Sequence, residues 1–406
     1  MNHMKVIQRI NLLLLSLFGF CLLIGCGDGH DHAGHDHSGH SHGPQGDILI
    51  AIAGPMSGSG AAFGEQIKKA ATLKIEQINA AGGIDGRKVK LQIEDDKGDP
   101  TEAANVARKL AAMKKVSIVI GHFNSSCSKS AKDEYNRKGV VEFSPGSTNV
   151  DVCRGGPWTF RNLYRDDYQG TFLARYAKEI LKVNKVAVFF DNDDYGAGLK
   201  NAFISEAKKI DLAVIQPIPY QRERTQDFKP LVEQIKGQGA GAVFISGLFN
   251  EAALISKALR NDLKMDVPVL AGDGVYEPKY ISLAGRAAEG TYITTPFLFN
   301  TGNDSKEAVA FMSAYKKKYD EEPSTWSALT YDAVGMAIAA IDEVGTDRKK
   351  IKEWFAACTT ADKGYKGVTG ITFFDKEGDC YSKGASVAIV SEKKFKPAPQ
   401  QLTVEQ

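Results

Sequence analysis

An excess of charge of either sign is missing from this chain: 51 Lys and Arg stand against 49 Asp and Glu in 406 residues. A nucleic-acid binder normally carries a basic excess, so that class is excluded. Histidine is almost missing beyond residue 42, where His122 stands alone; a three-histidine catalytic zinc site cannot be built there. After the first 25 residues no apolar run is long enough to span a bilayer. Catalytic signatures are also thin. Ser126-Cys127-Ser128-Lys129 and Ser313-Ala314-Tyr315-Lys316 match the S-x-x-K pattern of serine acyl-enzymes, but the S-D-N and K-T-G elements that go with it are absent. Gly237-Gln238-Gly239-Ala240-Gly241-Ala242 has the glycines of a dinucleotide loop, yet it precedes a strand instead of following one. Trp158, Trp326 and Trp354 read as packing residues. No enzyme class and no cofactor is indicated.

What is present begins with a leader. Lys5 and Arg9 precede an apolar run from Leu12 to Ile24, too short for a span of about 20 residues. It ends Leu23-Ile24-Gly25-Cys26, which resembles the lipobox of bacterial lipoproteins; in that class the cut falls before the cysteine and the thiol carries the lipid. The plainer alternative is a secretory signal with an incidental cysteine. Removing residues 1–25 leaves 381 residues with 49 basic and 49 acidic side chains, a length that points to two domains. Residues 26–46 hold Cys26 and a low-complexity stretch with no core-forming residue, read as a flexible tether. It carries His30, His32, His35, His37, His40 and His42 in H-x-H pairs. Such imidazoles can chelate zinc, copper or nickel, or serve as a solvated spacer. Cys127, Cys153, Cys358 and Cys380 are an even number in an exported chain and suggest disulfides. Sequence order favours 127–153 and 358–380; spacing leaves the other two connectivities open.

From Asp47 onward strands and helices alternate. Apolar strands are expected at 48–53, 116–120, 140–143, 185–190, 212–215, 242–246 and 267–271. Ile67, Ala71, Ile75 and Ile78 share one helix face, as do Ala103, Val106, Ala107 and Leu110; Pro100-Thr101-Glu102 is a helix start. The alternation occurs twice, over 47 to about 161 and about 162 to 296, followed by a mostly helical 305–358 and a strand–turn–strand at 368–395. The expected fold is α/β: two similar lobes, each a parallel-rich sheet with helices on both faces, joined by hinge strands.

In open α/β sheets ligands bind beyond the carboxyl ends of the strands. Those ends read Gly121-His122-Phe123-Asn124-Ser125-Ser126, Ser144-Pro145-Gly146-Ser147-Thr148, Asp191-Asn192-Asp193-Asp194-Tyr195-Gly196 and Gly272-Asp273-Gly274. Hydroxyls and a helix N-terminus in the first lobe suit a carboxylate. A buried aspartate in the second suits an ammonium. Any one loop is weak evidence, because Ser, Gly and Asp favour turns. Four at successive strand ends describe a zwitterion site.

These segments, with ILIAIAGPMSGSGAAFGEQ, INAAGGIDG and EDDKGDP, strongly resemble the leucine/isoleucine/valine-binding family of ABC-transporter substrate-binding proteins over nearly all of 47–390. The resemblance implies the type I periplasmic binding-protein fold. It places Ser125, with Asn124 beside it, on the solute carboxylate. Gly146 would offer its carbonyl to the amine, and Ser147 and Thr148 complete that loop, Thr148 through its hydroxyl and N–H. Tyr195 would close over the ligand, Asp273 would take the amine, and Phe63 would wall the side-chain pocket. Phe249 stands near the place of a common family tyrosine. Asp273 is one methylene shorter than the usual glutamate, Gly146 lacks a methyl, and Gly98 replaces a familiar cysteine, so that the 127–153 pair would take over its bridge.

The implied boundaries are a leader at 1–25, the tether at 26–46, lobe 1 at 47–161 plus 297–370, lobe 2 at 162–296 plus 371–395, and a tail at 396–406. The implied job is an exported, lipid-anchored, monomeric receptor. It would bind a small solute, a branched-chain or related amino acid, and deliver it to an ABC permease. A receptor or sensor for an amide, urea or aromatic acid on the same fold is one alternative. A metal-binding surface lipoprotein working through its histidines is another, but it leaves the large two-lobed part without a role.

Overall fold

A computed structural model describes residues 46–299, 302 and 304–404. The leader, Cys26 and the tether histidines lie outside them. The first half runs β1 (Ile48–Gly54), α1 (Ala61–Ala80), β2 (Val89–Asp95), α2 (Pro100–Ala112), β3 (Val116–Ile120), α3 (Ser125–Lys138), β4 (Glu142–Ser144) and β5 (Thr159–Arg161). Its sheet has the order β2-β1-β3-β4-β5, with every pairing parallel. Parallel sheets are covered on both faces, and β3 (Val-Ser-Ile-Val-Ile) is buried at all five positions. The two helix faces expected from periodicity are the ones that pack: Ile67, Ala71 and Ile75 of α1, and Ala103, Val106, Ala107 and Leu110 of α2. Asp99 caps α2, its carboxylate accepting the N–H groups of Thr101 and Glu102. After α1 the chain reverses through Gly82-Gly83, where a side chain at Gly83 would meet the Arg87 carbonyl at 2.1 Å.

The second half runs α4 (Asp166–Arg175), β6 (Lys185–Asp191), α5 (Asp194–Lys209), β7 (Ala213–Val214), β8 (Ile218–Tyr220), α6 (Lys229–Glu233), β9 (Ala242–Ser246), α7 (Phe249–Lys257), β10 (Val269–Ala271), α8 (Pro278–Ala284) and β11 (Thr291–Thr295). The sheet order is β15-β14-β11-β10-β9-β6-β7, with β8 also on β6. Here β14 (Ser386–Ser391) and β15 (Lys394–Pro397) are antiparallel additions from the C-terminal region. Between the two sheets' segments come α9 (Lys306–Tyr319), α10 (Thr325–Val344), α11 (Arg348–Ala357) and the small hairpin β12 (Tyr365–Gly367) and β13 (Gly370–Thr372). Ala70 and Leu73 of α1 share one buried cluster with Phe311 and Tyr315 of α9 and Ala328 of α10. These helices therefore belong with the first sheet.

Several expectations shift. β1 and β3 fall where the sequence put them, whereas β5, β8 and β11 were not among the expected apolar runs. β11 is Thr-Tyr-Ile-Thr-Thr, and β8 is an Ile-Pro-Tyr piece whose proline faces solvent at an edge. The turn at 375–379 closes only a single bridge between Phe374 and Cys380. The true C-terminal hairpin turns at Glu392-Lys393, both with positive φ, at 53° and 57°. Residues beyond 397 are held: Tyr176 donates to the Gln400 carbonyl at 2.9 Å and Tyr168 to that of Val404 at 3.1 Å.

The disulfide expectation is overturned. Cys127, Cys153, Cys358 and Cys380 are all free and buried. Three of the thiols have polar neighbours, none of them a cysteine. Cys153 points at the Gly378 carbonyl (3.6 Å), Cys358 at the Trp354 carbonyl one turn back (3.4 Å), and Cys380 at the Ser382 hydroxyl (3.2 Å). Burial pushes the Cys127 and Cys153 thiols well up and Cys358 up to about 12, so they are poor thiolates. Among the described residues no helix is long and apolar enough to cross a membrane, and no group of three His, Cys, Asp or Glu could hold a metal ion.

Candidate solute site between the two sheets

The first-lobe loops rest on a buried polar floor. His122 Nδ1 lies 2.6 Å from Asp96 and Nε2 lies 3.2 Å from the Tyr135 hydroxyl; all three residues are fully buried. The His122 carbonyl accepts from Ser144 at 2.6 Å, and Ser144 Oγ accepts the Ser147 N–H at 2.9 Å. Ser147 turns its hydroxyl into this floor, toward Ser128 Oγ at 2.8 Å and the Phe123 carbonyl at 3.0 Å. Ser125, the first residue of α3, does the opposite. Its Oγ accepts the N–H groups of Thr148 (3.3 Å) and Asn149 (3.2 Å), joining the two loops and keeping its proton for a third partner. The Thr148 N–H is thus taken by Ser125, while Thr148 Oγ1 is buried with no partner. Asn124 Oδ1 is likewise unpartnered, at the mouth of a groove shared with Ser126 and Arg222.

In the second lobe Asp193 caps α5 through the Gly196 N–H at 2.7 Å. That cap presents Tyr195, whose hydroxyl donates to Asp273 Oδ1 at 2.7 Å and accepts the Gly274 N–H at 3.0 Å. Asp273 is 2% exposed and its other oxygen has no partner. Burial raises its carboxyl to about 6, against the Tyr195 hydrogen bond and the nearby polar groups of Gln169 and Tyr164, which favour the anion. A second acid, Asp166 in the first turn of α4, is 1% exposed with both oxygens unpartnered. Burial and then the charge of Asp273 push it well above the usual carboxylate range, with Thr148 and Arg161 opposing. Gln169 Oε1 is also orphaned. Thr148, Asp166, Gln169 and Asp273 therefore gather acceptor oxygens away from water. Buried polar groups are almost always paired, so this set calls for a donor that carries several N–H groups and a positive charge.

Beside it stands an apolar wall. Phe63 stacks on Phe123 (centroids 4.5 Å apart) and meets Phe249 edge-on at 5.3 Å; Trp326 stands edge-on to Phe123 at 5.0 Å. Gly146 is needed for this wall, because a Cβ there would lie 2.3 Å from Phe123 Cδ2. Phe63, Gly146 and Phe249 were singled out from sequence. Phe123, Trp326, Asp166, Gln169 and Tyr164 were not: Trp326 was read as packing, and Asp166, Gln169 and Tyr164 carry no motif that sets them apart.

The lobes touch across the seam. Lys129 Nζ lies 2.5 Å from Asp194, Asn250 donates to the Ser59 carbonyl at 3.1 Å, and Gln66 donates to Glu277. A groove of about 920 Å³ along this seam is lined in part by Lys129, Asn149, Asp166 and Asp194. The arrangement is a closed clamp.

Residues 47–392 match the family described as periplasmic binding protein. The Leu/Ile/Val-binding protein homolog 1 of Brucella suis is 34% identical over 340 residues, 82% of this chain and 87% of that protein. A protein of Pseudomonas aeruginosa named amino acid binding protein is 33% identical over a similar span, 82% and 87%. Among solved structures, the substrate-binding protein LivJ of Streptococcus pneumoniae, in complex with isoleucine, superposes with a TM-score of 0.81 at 30% identity, covering 88% of this chain and 99% of that one. The leucine-binding protein LivK of Thermotoga maritima gives 0.80 at 30% identity, over 86% and 97%. With two parallel-rich sheets facing each other across a closed cleft, the chain belongs to the periplasmic binding protein family, in its two-lobed type I form.

Proposed function

We propose that the chain is an extracytoplasmic receptor that clamps an α-amino acid, branched-chain or related, between its lobes and delivers it to an ABC importer. The observation that carries this is the buried Asp273, with one oxygen held by Tyr195 and the other unpartnered, next to the orphaned oxygens of Asp166, Gln169 and Thr148. An ammonium supplies the charge and the N–H groups these lack. The Ser125 hydroxyl at the start of α3 suits the carboxylate, both by hydrogen bonding and by the positive end of the helix dipole. Phe63, Phe123, Phe249 and Trp326 suit an apolar side chain. Ser147 supports the loops in this reading, Asn124 lines the neighbouring groove, and Gly146 makes room for Phe123. The lobes are taken as 47–161 plus 297–370 and 162–296 plus 371–395, with binding expressed as hinge closure. Names carried by relatives, including the isoleucine-bound LivJ, agree with this solute class. Nothing in the site calls for a catalytic step.

The test is a thermal-shift panel of the twenty amino acids, urea, short amides and aromatic acids, on protein unfolded and refolded to strip carried-over solute. At a hundredfold excess over its dissociation constant the true solute adds about 2.7 kcal/mol of stability. Leu, Ile or Val giving the largest shift is the expected outcome. A shift only with urea, amides or aromatic acids rejects the ammonium role of Asp273.

Anchoring through Cys26 is part of the same proposal, motivated by the Leu-Ile-Gly-Cys end of the leader. Cys26→Ser is expected to move the exported protein from the membrane to the soluble fraction. Unchanged membrane association would leave Cys26 without that role. Metal binding by His30 to His42 is the subordinate reading; it predicts zinc uptake independent of solute.

A further inference from the structure

Three groups of the first lobe converge on one residue of the second. Asp194 is the first residue of α5, between the cap Asp193 and the clamp residue Tyr195. Its N–H donates to Ser126 Oγ at 3.3 Å, its carbonyl accepts from Asn149 Nδ2 at 2.7 Å, and its carboxylate meets Lys129 Nζ at 2.5 Å. Ser126 follows Ser125, and Asn149 follows Thr148, so the same two loops that face the solute also grip Asp194. Asn149 is 5% exposed, and its Oδ1 is held by the Asp151 N–H at 2.9 Å. Both ends of its amide are engaged, and the Lys129 ammonium is on Asp194. Both side chains are thus committed to Asp194.

We propose that Asn149 and Lys129 are positioning residues for capture: they bolt Asp194 to the first lobe and thereby hold Tyr195 on Asp273 over the bound solute. The bolt exists only when the lobes meet. It stabilises the closed form alone, so it lowers the dissociation rate of every solute by the same factor and leaves the encounter with the open form unchanged. The two contacts differ in size. The Asn149 bond comes from a side chain only 5% exposed, whereas Lys129 and Asp194 are 29% and 36% exposed, and an exposed pair is weak and screened by salt. Asn149 is therefore the main part and Lys129 the salt-sensitive part. This inference rests on the receptor reading above.

The experiment uses Asn149→Asp, which keeps the Oδ1 acceptor for Asp151 but replaces the donor facing the Asp194 carbonyl by an oxygen, together with Lys129→Met and the double variant. Stopped-flow fluorescence of the full chain, with Trp326 in the pocket wall as reporter, gives association and dissociation rates for each amino acid that binds. Asn149→Asp is expected to raise dissociation about tenfold or more, the scale of one buried hydrogen bond. Lys129→Met is expected to raise it about two- to threefold, the scale of an exposed pair, and to remove the salt dependence of dissociation. The factor should be equal for all solutes, with association rates and the melting temperature of the solute-free protein unchanged. Unchanged dissociation, a factor that varies from solute to solute, or a parallel fall in solute-free stability each overturns the proposal. If no amino acid binds, the receptor reading fails by itself. The capture role assigned to Asn149 and Lys129 then falls with it, because no bound solute is left for the bolt to retain.

Discussion

Replacing Asp273 by asparagine is expected to abolish amino-acid binding and, at pH 7, to make the solute-free protein more stable. Both effects follow from one buried carboxylate. Asp273 is held away from water at 2% exposure with one oxygen unpartnered, and burial raises it from 3.8 to about 6. A carboxyl with a raised folded value favours the protonated native state. Its ionisation costs nothing below the unfolded value near 3.8, a cost that grows between 3.8 and about 6, and a constant amount above that. The full cost is on the order of 3 kcal/mol. Asp273→Asn removes it, so the variant gains stability at pH 7 and nothing below pH 4. Under the proposed receptor role, an ammonium group on the solute would offset the same cost in the wild type. Removing one partner of a buried ion pair costs about 3–5 kcal/mol, a loss of at least a hundredfold in affinity. In the wild type, affinity falls as pH drops through about 6, because the protonated acid no longer pairs with an ammonium. Calorimetry across pH 4.5–8 and denaturation of the solute-free variants check both arms. Affinity unchanged in Asp273→Asn would remove the ammonium from this site.

Arg161→Met is expected to cause the largest loss of stability. Arg161 is fully buried at the end of β5, where the chain leaves the first sheet. Its Nε contacts Asp379 at 2.6 Å and one terminal nitrogen donates to the Ser147 carbonyl at 3.0 Å. It therefore joins a second crossing segment, at 379, to the back of the solute loop. Methionine fills similar volume but leaves Asp379 buried and partly uncompensated, which costs about 3–5 kcal/mol. The low end applies, because Arg165 still reaches the other Asp379 oxygen at 3.1 Å. A second change, Asp379→Asn, removes the orphaned charge and should recover much of the loss. Urea denaturation of the two single variants and the double variant measures this. Equal losses that simply add would rule out the buried pair as the cause.

Much of the architecture was legible because it is local. Strand–helix alternation, the helix start at Pro100 and the apolar faces of α1 and α2 are written in neighbouring residues, and so is the position of the loops at strand ends. Other elements were not. Glu392-Lys393 carries none of the Asn or Gly that usually mark a turn with positive φ. The expected disulfides failed because an even cysteine count says nothing of where thiols point. In the site, Asp166 was hidden by its own setting: Asp-Asp at a helix start is what the helix dipole favours anyway. Phe123 and Trp326 lie two hundred residues apart and meet only in the fold.

The sequence by itself determined the two α/β halves, the loops from which a solute would be held, and the hydroxyl and carboxylate character of each lobe. Tertiary structure decided which of those groups are consumed by protein partners and which are left unpartnered. Ser125 spends only its acceptor capacity on Thr148 and Asn149, while Ser147, next to Gly146, turns its hydroxyl inward to Ser128 and Phe123. Asp193 caps a helix, while Asp166 and Asp273 lose their water and become the acceptors. Desolvation and pairing are set by neighbours remote in the chain, and no pattern of adjacent residues can record them.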